Sequence, residues 1–283
     1  MKNTIISDQN KYKTTLNNFI EWWKEKLHVL ADFDRTLTQA FSDWKYRASL
    51  ISVLYEDWYL SSEYQKIAQW FFDYYHPIEI DENISLEKRK SAMQEWREKH
   101  KLLLIKEWIT KQDIYDAMKS QNIKLRQWSK EFFDKLKSSK TPLVIISAGW
   151  LGTISIEKYL ENQESLHDNI YLIWNEFVWS ENDVAIDFKR PIVHSLNKDE
   201  TIVQNFPEIY NKIENRKNVI LLWDSIWDTK MIDWFDYDNL LKIWFLNKDV
   251  DKNIVKYKEA FDVVITDDGS MEFVNELLKK IIK

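Results

Sequence analysis

Asp32 and Asp34 stand two residues apart directly after the apolar run Leu27, Val29, Leu30 and Ala31. Side chains two apart on an extended strand point the same way. The pair therefore presents two carboxylates together at a strand end, where like charges call for a cation or a shared proton. Three more segments carry polar groups immediately behind apolar runs. Ile145-Ile146-Ser147-Ala148-Gly149 sets a hydroxyl and backbone N–H groups between a strand and a helix, an arrangement suited to phosphate oxygens. His194 to Lys198 places an ammonium near a helix start, and Leu221 to Asp228 ends a strand on the carboxylates Asp224 and Asp228. Taken singly, Asp224 and Asp228 are a helix cap and first-turn acid as readily as ligands; Ser147 is a turn residue and Lys198 a solvated lysine. Their order tells more: carboxylate pair, serine, lysine, carboxylate pair, each behind an apolar run. Oxygens from Asp32, the Asp34 backbone carbonyl and Asp224 suit an octahedral Mg²⁺ that keeps some waters.

The runs at 27–31, 142–146, 170–173, 218–222, 240–246 and 261–265 read as buried strands, with helical patterns at about 153–163, 199–214, 251–259 and 270–282. Alternating strand and helix implies an α/β fold with a parallel sheet covered on both faces. In such sheets ligands bind beyond the carboxyl ends of the strands. The stretch 44–138 breaks the rhythm, with its clearest helical periods at 87–110 and 125–137. It is expected to be a helical cap inserted into a core made of 1–43 and 139–283.

A chain of 283 residues can bury one large domain or a core plus insert. The formal charge of −6 argues against a nucleic-acid polymer as partner, so an anionic substrate must be held by a local cation or a metal. The absence of cysteine excludes disulfides and thiolate zinc sites. Met1 to Asn18 is polar, without the apolar core of a signal peptide, and no run reaches the ~20 apolar residues of a membrane span. A cytoplasmic protein with no membrane partner, a monomer or weak oligomer, is the expectation.

Asp32-Phe33-Asp34-Arg35-Thr36-Leu37 resembles the nucleophile motif of the haloacid dehalogenase-like phosphatases. End to end the chain is similar to the pyrimidine 5′-nucleotidase family (cytosolic 5′-nucleotidase III-like), through LHVLADFDRTLT, YYHPIEID, IISAG, IVHSLNKDE, ILLWDSIWD and the closing VDKNIVKYKEAFDVVITDDGS. The resemblance spans roughly residues 18–280 and implies a Rossmann-like three-layer core. It also implies Mg²⁺-dependent hydrolysis of a nucleoside 5′-monophosphate, with a pyrimidine base such as that of UMP or CMP. In it Asp32 would be the nucleophile and Asp34 the general acid and base. Asp32, Asp34, Asp224 and Asp228 would serve the metal, while Ser147, Ala148 and Lys198 bind phosphate and Glu79 meets the base. One departure matters: Glu95-Trp96-Arg97-Glu98-Lys99-His100 is a residue shorter than the family spacing and lacks the serine that helps bind a methylated purine. Tyr74 and Tyr75 read either as base-stacking or as core. Two competing readings stand beside this one: a phosphatase of another small phosphoester such as phosphoserine, and an inactive binding protein of the same fold.

The chain holds 15 tryptophans and 3 glycines, against an ordinary glycine usage of about 7%. Tryptophan stands where the resemblance places glycine, at Trp22, Trp23, Trp223, Trp227, Trp234 and Trp244, and Trp44, Trp58, Trp108 and Trp128 look alike. Glycine serves where φ is positive or where backbone approaches a ligand, and overpacking a core costs about 1–3 kcal/mol per site. We read most of these positions as UGA codons that the organism translates as glycine. If instead the tryptophans are genuine, Trp150, Trp223 and Trp227 block the site and the inactive-binder reading gains. UGG codons at Trp22, Trp223 and Trp227 would contradict the recoding.

Overall fold

A seven-stranded sheet runs in the order β1 (Thr4–Ile6), β11 (Val263–Thr266), β10 (Asn239–Leu246), β9 (Asn218–Trp223), β2 (Leu27–Ala31), β5 (Leu143–Ile146), β6 (Ile170–Ile173). All neighbours pair in parallel except β1, which lies antiparallel on β11. The computed structural model describes residues 3–21, 24–43, 45–46, 49–56, 59–81, 83–198, 203–225 and 236–282. Asp228 and the tryptophans at 22, 23, 44, 58, 227 and 234 lie outside them.

Burial follows period two on both faces. Leu27, Val29, Ala31, Leu143, Ile145, Ile220 and Leu222 join one apolar cluster, while Leu30, Val144, Ile146, Val219 and Leu221 join the other. A parallel sheet buried on both faces reads as near-continuous apolar runs, which is why its central strands were legible. Helices α1 (Gln9–Glu21) and α7 (Thr153–Asn162), with Pro207–Ile213, Val250–Ala260 and Glu272–Ile281, belong to this core. The helix expected over 199–214 is interrupted: Val203 and Gln204 are helical, Asn205 and Phe206 are not, and the helix resumes at Pro207, with 199–202 outside the described residues.

Between β2 and β5 the chain forms the hairpin β3 (Phe41–Ser42) and β4 (Lys45–Tyr46), then α2 (Ile51–Glu56), α3 (Ser62–Ile80), α4 (Leu86–Lys106), α5 (Lys111–Ala117) and α6 (Ser129–Ser138). Side-chain caps start these helices: Ser61 accepts from Tyr64 N–H, and Thr110 and Asp113 form a reciprocal capping box. α3 packs on α4, whereas α6 lies against the core helix Glu272–Ile281. A second hairpin, β7 (Phe177–Trp179) with β8 (Ala185–Phe188), meets α4 and had no expectation from the sequence. Tyr75 is core, stacked 5.7 Å from Trp96, while Tyr74 is exposed.

The tryptophans divide. Trp108 and Trp128 take φ of 55° and 68°, the left-handed region, with 76% and 58% of their surface exposed. Trp223 and Trp244 instead sit inside the second apolar cluster, rings 6.4 Å apart, and Trp244 stacks on Phe261 at 3.8 Å. The overpacking expected of an indole at Trp223 is not seen: the layer under Val250–Ala260 takes both rings. Trp223 is then the floor beneath Lys198, whose Nζ lies 5.0 Å from the ring centre.

Candidate active site at the strand ends

β2 lies between β5 and β9, so its carboxyl end opens on the crevices where the strand order reverses. Asp32 is the first residue past it, and its N–H donates to Leu222 O at 3.1 Å, joining the ends of β2 and β9. The N–H groups of Thr36, Leu37 and Thr38 all donate to Phe33 O at 3.0–3.3 Å, folding the chain back at once. Arg35 takes φ of 60° in this tight turn. The turn holds the Asp34 carboxylate against Leu50 N–H at 2.9 Å.

Lys198 reaches over from the segment after the turn Ser195–Asn197 and donates from Nζ to Asp32 Oδ1 at 2.7 Å, both side chains under 10% exposed. Asp224, at the end of β9, lies 3.1 Å from Arg35 Nε. Ser147, buried at the end of β5, accepts from Gly149 N–H at 3.1 Å. Ala148 follows in the same loop. Thus Asp32, Asp34, Ser147, Ala148, Lys198 and Asp224 come together at three adjacent strand ends. Glu79 stands apart, near the end of α3, and is tied to the core by accepting from Ser195 Oγ while His76 Nδ1 lies 3.0 Å away. Those partners and the nearby Arg97 charge hold its carboxyl below the usual range in spite of burial.

Burial first, and then the Asp32 charge, push Asp34 up to about 7, against the opposing pull of Arg35, the Leu50 N–H and Lys198. Burial also raises Asp224, with Arg35 pulling it down and Asp32 pushing it up. For Asp34 the folded pKa of about 7 lies above the ordinary carboxylate value of 3.8. Between these limits the folded state keeps a proton that the unfolded chain has lost, so this contribution to stability falls as pH rises from 3.8 to about 7. Without metal, the melting temperature of wild type relative to Asp34→Asn is expected to drop across that window. A difference that stays constant with pH contradicts the assignment.

The donor set fits a hard divalent cation. Two carboxylates, Asp32 and Asp224, and the main-chain carbonyl of Asp34 are oxygen donors at adjacent strand ends, and Mg²⁺ is commonly held by one or two carboxylates plus waters. Asp34's own carboxylate is turned to Leu50 instead, and among the described residues no three His, Cys, Asp or Glu side chains converge.

Three arginines around the site gave no signal in the sequence. Arg126 is buried and donates to Thr36 O at 2.6 Å, Gly269 O at 2.7 Å, Asn247 Oδ1 at 2.7 Å, Asp268 Oδ1 at 3.0 Å and also Arg35 O. It fixes the turn after β2 to the loops after β10 and β11. Arg35 bridges Asp224 and the hairpin residue Tyr46, whose hydroxyl accepts at 2.8 Å. Arg97 comes from α4 and donates to Ala148 O at 2.9 Å. Each partner set is assembled across 50 or more residues of sequence, beyond any local pattern, except the short reach from Arg35 to Tyr46.

A mostly parallel sheet with an aspartate pair at the end of β2, a serine and a lysine on neighbouring segments and a further aspartate at the end of β9 defines a haloacid dehalogenase-type phosphohydrolase. The family model "Pyrimidine 5′-nucleotidase (UMPH-1)" matches residues 35–282, and the chain belongs to that family. It is 32% identical over 259 residues to the 7-methylguanosine phosphate-specific 5′-nucleotidases of Mus musculus and Homo sapiens, covering 91% of this chain and 85% of each relative. The crystal structure of cytosolic 5′-nucleotidase IIIB bound to cytidine superposes with a TM-score of 0.84 at 26% identity, over 99% of this chain and 94% of that one. A substrate-bound phosphoserine phosphatase shares the fold, with a TM-score of 0.52 at 19% identity over 89% of this chain and 98% of that one. The protein is a 5′-nucleotidase of this fold, a phosphoric monoester hydrolase.

Proposed function

We propose that the chain hydrolyses pyrimidine nucleoside 5′-monophosphates, UMP and CMP, with Mg²⁺, through an aspartyl-phosphate on Asp32. The observation that carries this is the Asp32–Lys198 contact at the end of β2, with Asp34 held beside it at a pKa of about 7. Asp32 is the ionic partner of a buried lysine and so presents a carboxylate oxygen as nucleophile. Attack on phosphorus forms the Asp32–phosphate bond and breaks the bond to the ribose 5′-oxygen. Asp34 gives that oxygen its proton, for which a pKa near neutrality is matched. It then takes a proton from the water that releases phosphate. Lys198, the Ser147 hydroxyl and the Ala148 N–H hold the phosphate oxygens. Asp32, Asp224 and the Asp34 carbonyl would hold Mg²⁺, with Asp228 in support; when bound, the ion would neutralise charge on the transferring group. Glu79 faces the base, and the helices between β2 and β5 cover the nucleoside and exclude water.

The names of the relatives favour a second reading, 7-methylguanosine monophosphate as substrate. The shortened segment Glu95–His100, without the serine that the resemblance places there, weakens any carry-over of the relatives' base preference. Cytoplasmic location accords with the word "cytosolic" in the name of the similar structure, and among the described residues no helix is long and apolar enough to cross a membrane.

Phosphate release from UMP, CMP, 7-methyl-GMP and phosphoserine separates the readings. Higher kcat/KM for UMP and CMP than for 7-methyl-GMP, with phosphoserine inert, is expected; the reverse order transfers the assignment to the methylated purine.

A further inference from the structure

Arg97 is 7% exposed, and its charge is buried in the seam between α4 and the Ser147-Ala148-Gly149 loop. Its Nη1 donates to Ala148 O at 2.9 Å, but its Nε is buried and finds no partner. The other buried cations at the site have carboxylates: Lys198 has Asp32, and Arg126 has Asp268. Arg97 has none at ion-pair distance among the described residues. Glu79, the acid whose field it feels, is engaged by Ser195 and His76. Burial without a counter-ion holds the guanidinium down to about 10, and the same charge helps depress His100 and His194. Stacking on the Trp150 ring at 4.2 Å fixes its plane.

A buried guanidinium without a counter-charge is costly, and a planar fork of donors suits a phosphate oxyanion. We propose that Arg97 is a phosphate-binding residue of this enzyme: it brings to the phosphate a second cation besides Lys198, so the loop binds a phosphoryl dianion from both the core and α4. This rests on the phosphate site placed at Ser147 and Lys198 above. Because the arginine belongs to α4, phosphate binding and the seating of that helix on the core reinforce each other.

The test compares wild type, Arg97→Gln and Arg97→Lys in the full chain with Mg²⁺, after thermal melting confirms folding. Inorganic phosphate is titrated as a competitive inhibitor, and kcat/KM is measured for UMP and for p-nitrophenyl phosphate, which has no base. The glutamine variant is expected to weaken phosphate at least ~10-fold and to lower kcat/KM for both substrates by a similar factor, on the order of 10². Lysine restores part of each. Unchanged phosphate inhibition in a folded variant overturns the proposal, as does a loss confined to UMP, which assigns Arg97 to the base. If the glutamine variant does not fold, the lysine variant decides alone, since phosphate binding equal to wild type contradicts the need for a forked donor. Wild type that cleaves p-nitrophenyl phosphate but no nucleotide sinks the nucleotidase reading and leaves the Arg97 measurement intact.

Discussion

Asp32→Asn is expected to reduce phosphate release from UMP by a factor on the order of 10⁴ to 10⁶, the range seen when a covalent nucleophile is removed. The amide keeps the shape of the carboxylate and can still accept from Lys198 Nζ, so the loss is chemical and not steric. Two side effects separate this from general damage. Lys198, with only 8% of its side chain exposed, loses its counter-charge, and breaking a buried pair costs about 3–5 kcal/mol at most when one partner is removed. A lower melting point is therefore expected, with the fold retained. Asp34 also loses the second cause of its raised pKa, so its titration moves down from about 7. An Asp32→Asn protein that still turns over UMP removes Asp32 from the mechanism.

The second large effect concerns the tryptophans. An aromatic residue held at positive φ carries strain of about 1–3 kcal/mol, and Trp108 and Trp128, mostly exposed, recover little of it by burial. Trp108→Gly and Trp128→Gly are each expected to stabilise the chain, by about 1 kcal/mol in chemical denaturation. Trp150 and Trp223 bear on chemistry. Trp150 is wedged between Arg97 and His100, its ring 4.0 Å from the imidazole, and Trp223 underlies Lys198. Displacement of a reacting group by 1 Å costs on the order of 10²-fold. A chain carrying glycine at the recoded positions is expected to hydrolyse UMP faster by about that factor. The core pair Trp223 and Trp244, stacked 6.4 Å apart, is changed together with the rest. UGG codons in the gene, or a glycine chain that is less stable at Trp108 and Trp128, would contradict the recoding.

What the sequence disclosed follows from where the information is local. β2, β5, β9 and the Asp32 pair were legible because an apolar run ending in acids is a contiguous pattern. β1 was missed as a three-residue antiparallel edge among polar neighbours. β7 and β8 were missed because their turn has no glycine: Asp183, at φ 57°, takes the left-handed position. With glycine so scarce, the usual turn signals are few along the chain, and Asp, Lys and Glu occupy several positive-φ sites. Ser147, Lys198 and Asp224 were singled out by their order along the chain; Ser147 and Asp224 end the strands on either side of β2, and Lys198 reaches Asp32. The arginines were invisible because their roles arise from distances that only folding creates.

The most direct measurement is an acid-quenched reaction with UMP carrying labelled phosphate and Mg²⁺. Wild type is quenched during turnover, and Asp32→Asn is the control. A hydroxylamine-labile phosphate on the peptide that contains Asp32, absent from the control, is the predicted result. Nucleoside release with no labelled protein, or with label surviving Asp32→Asn, would contradict the account.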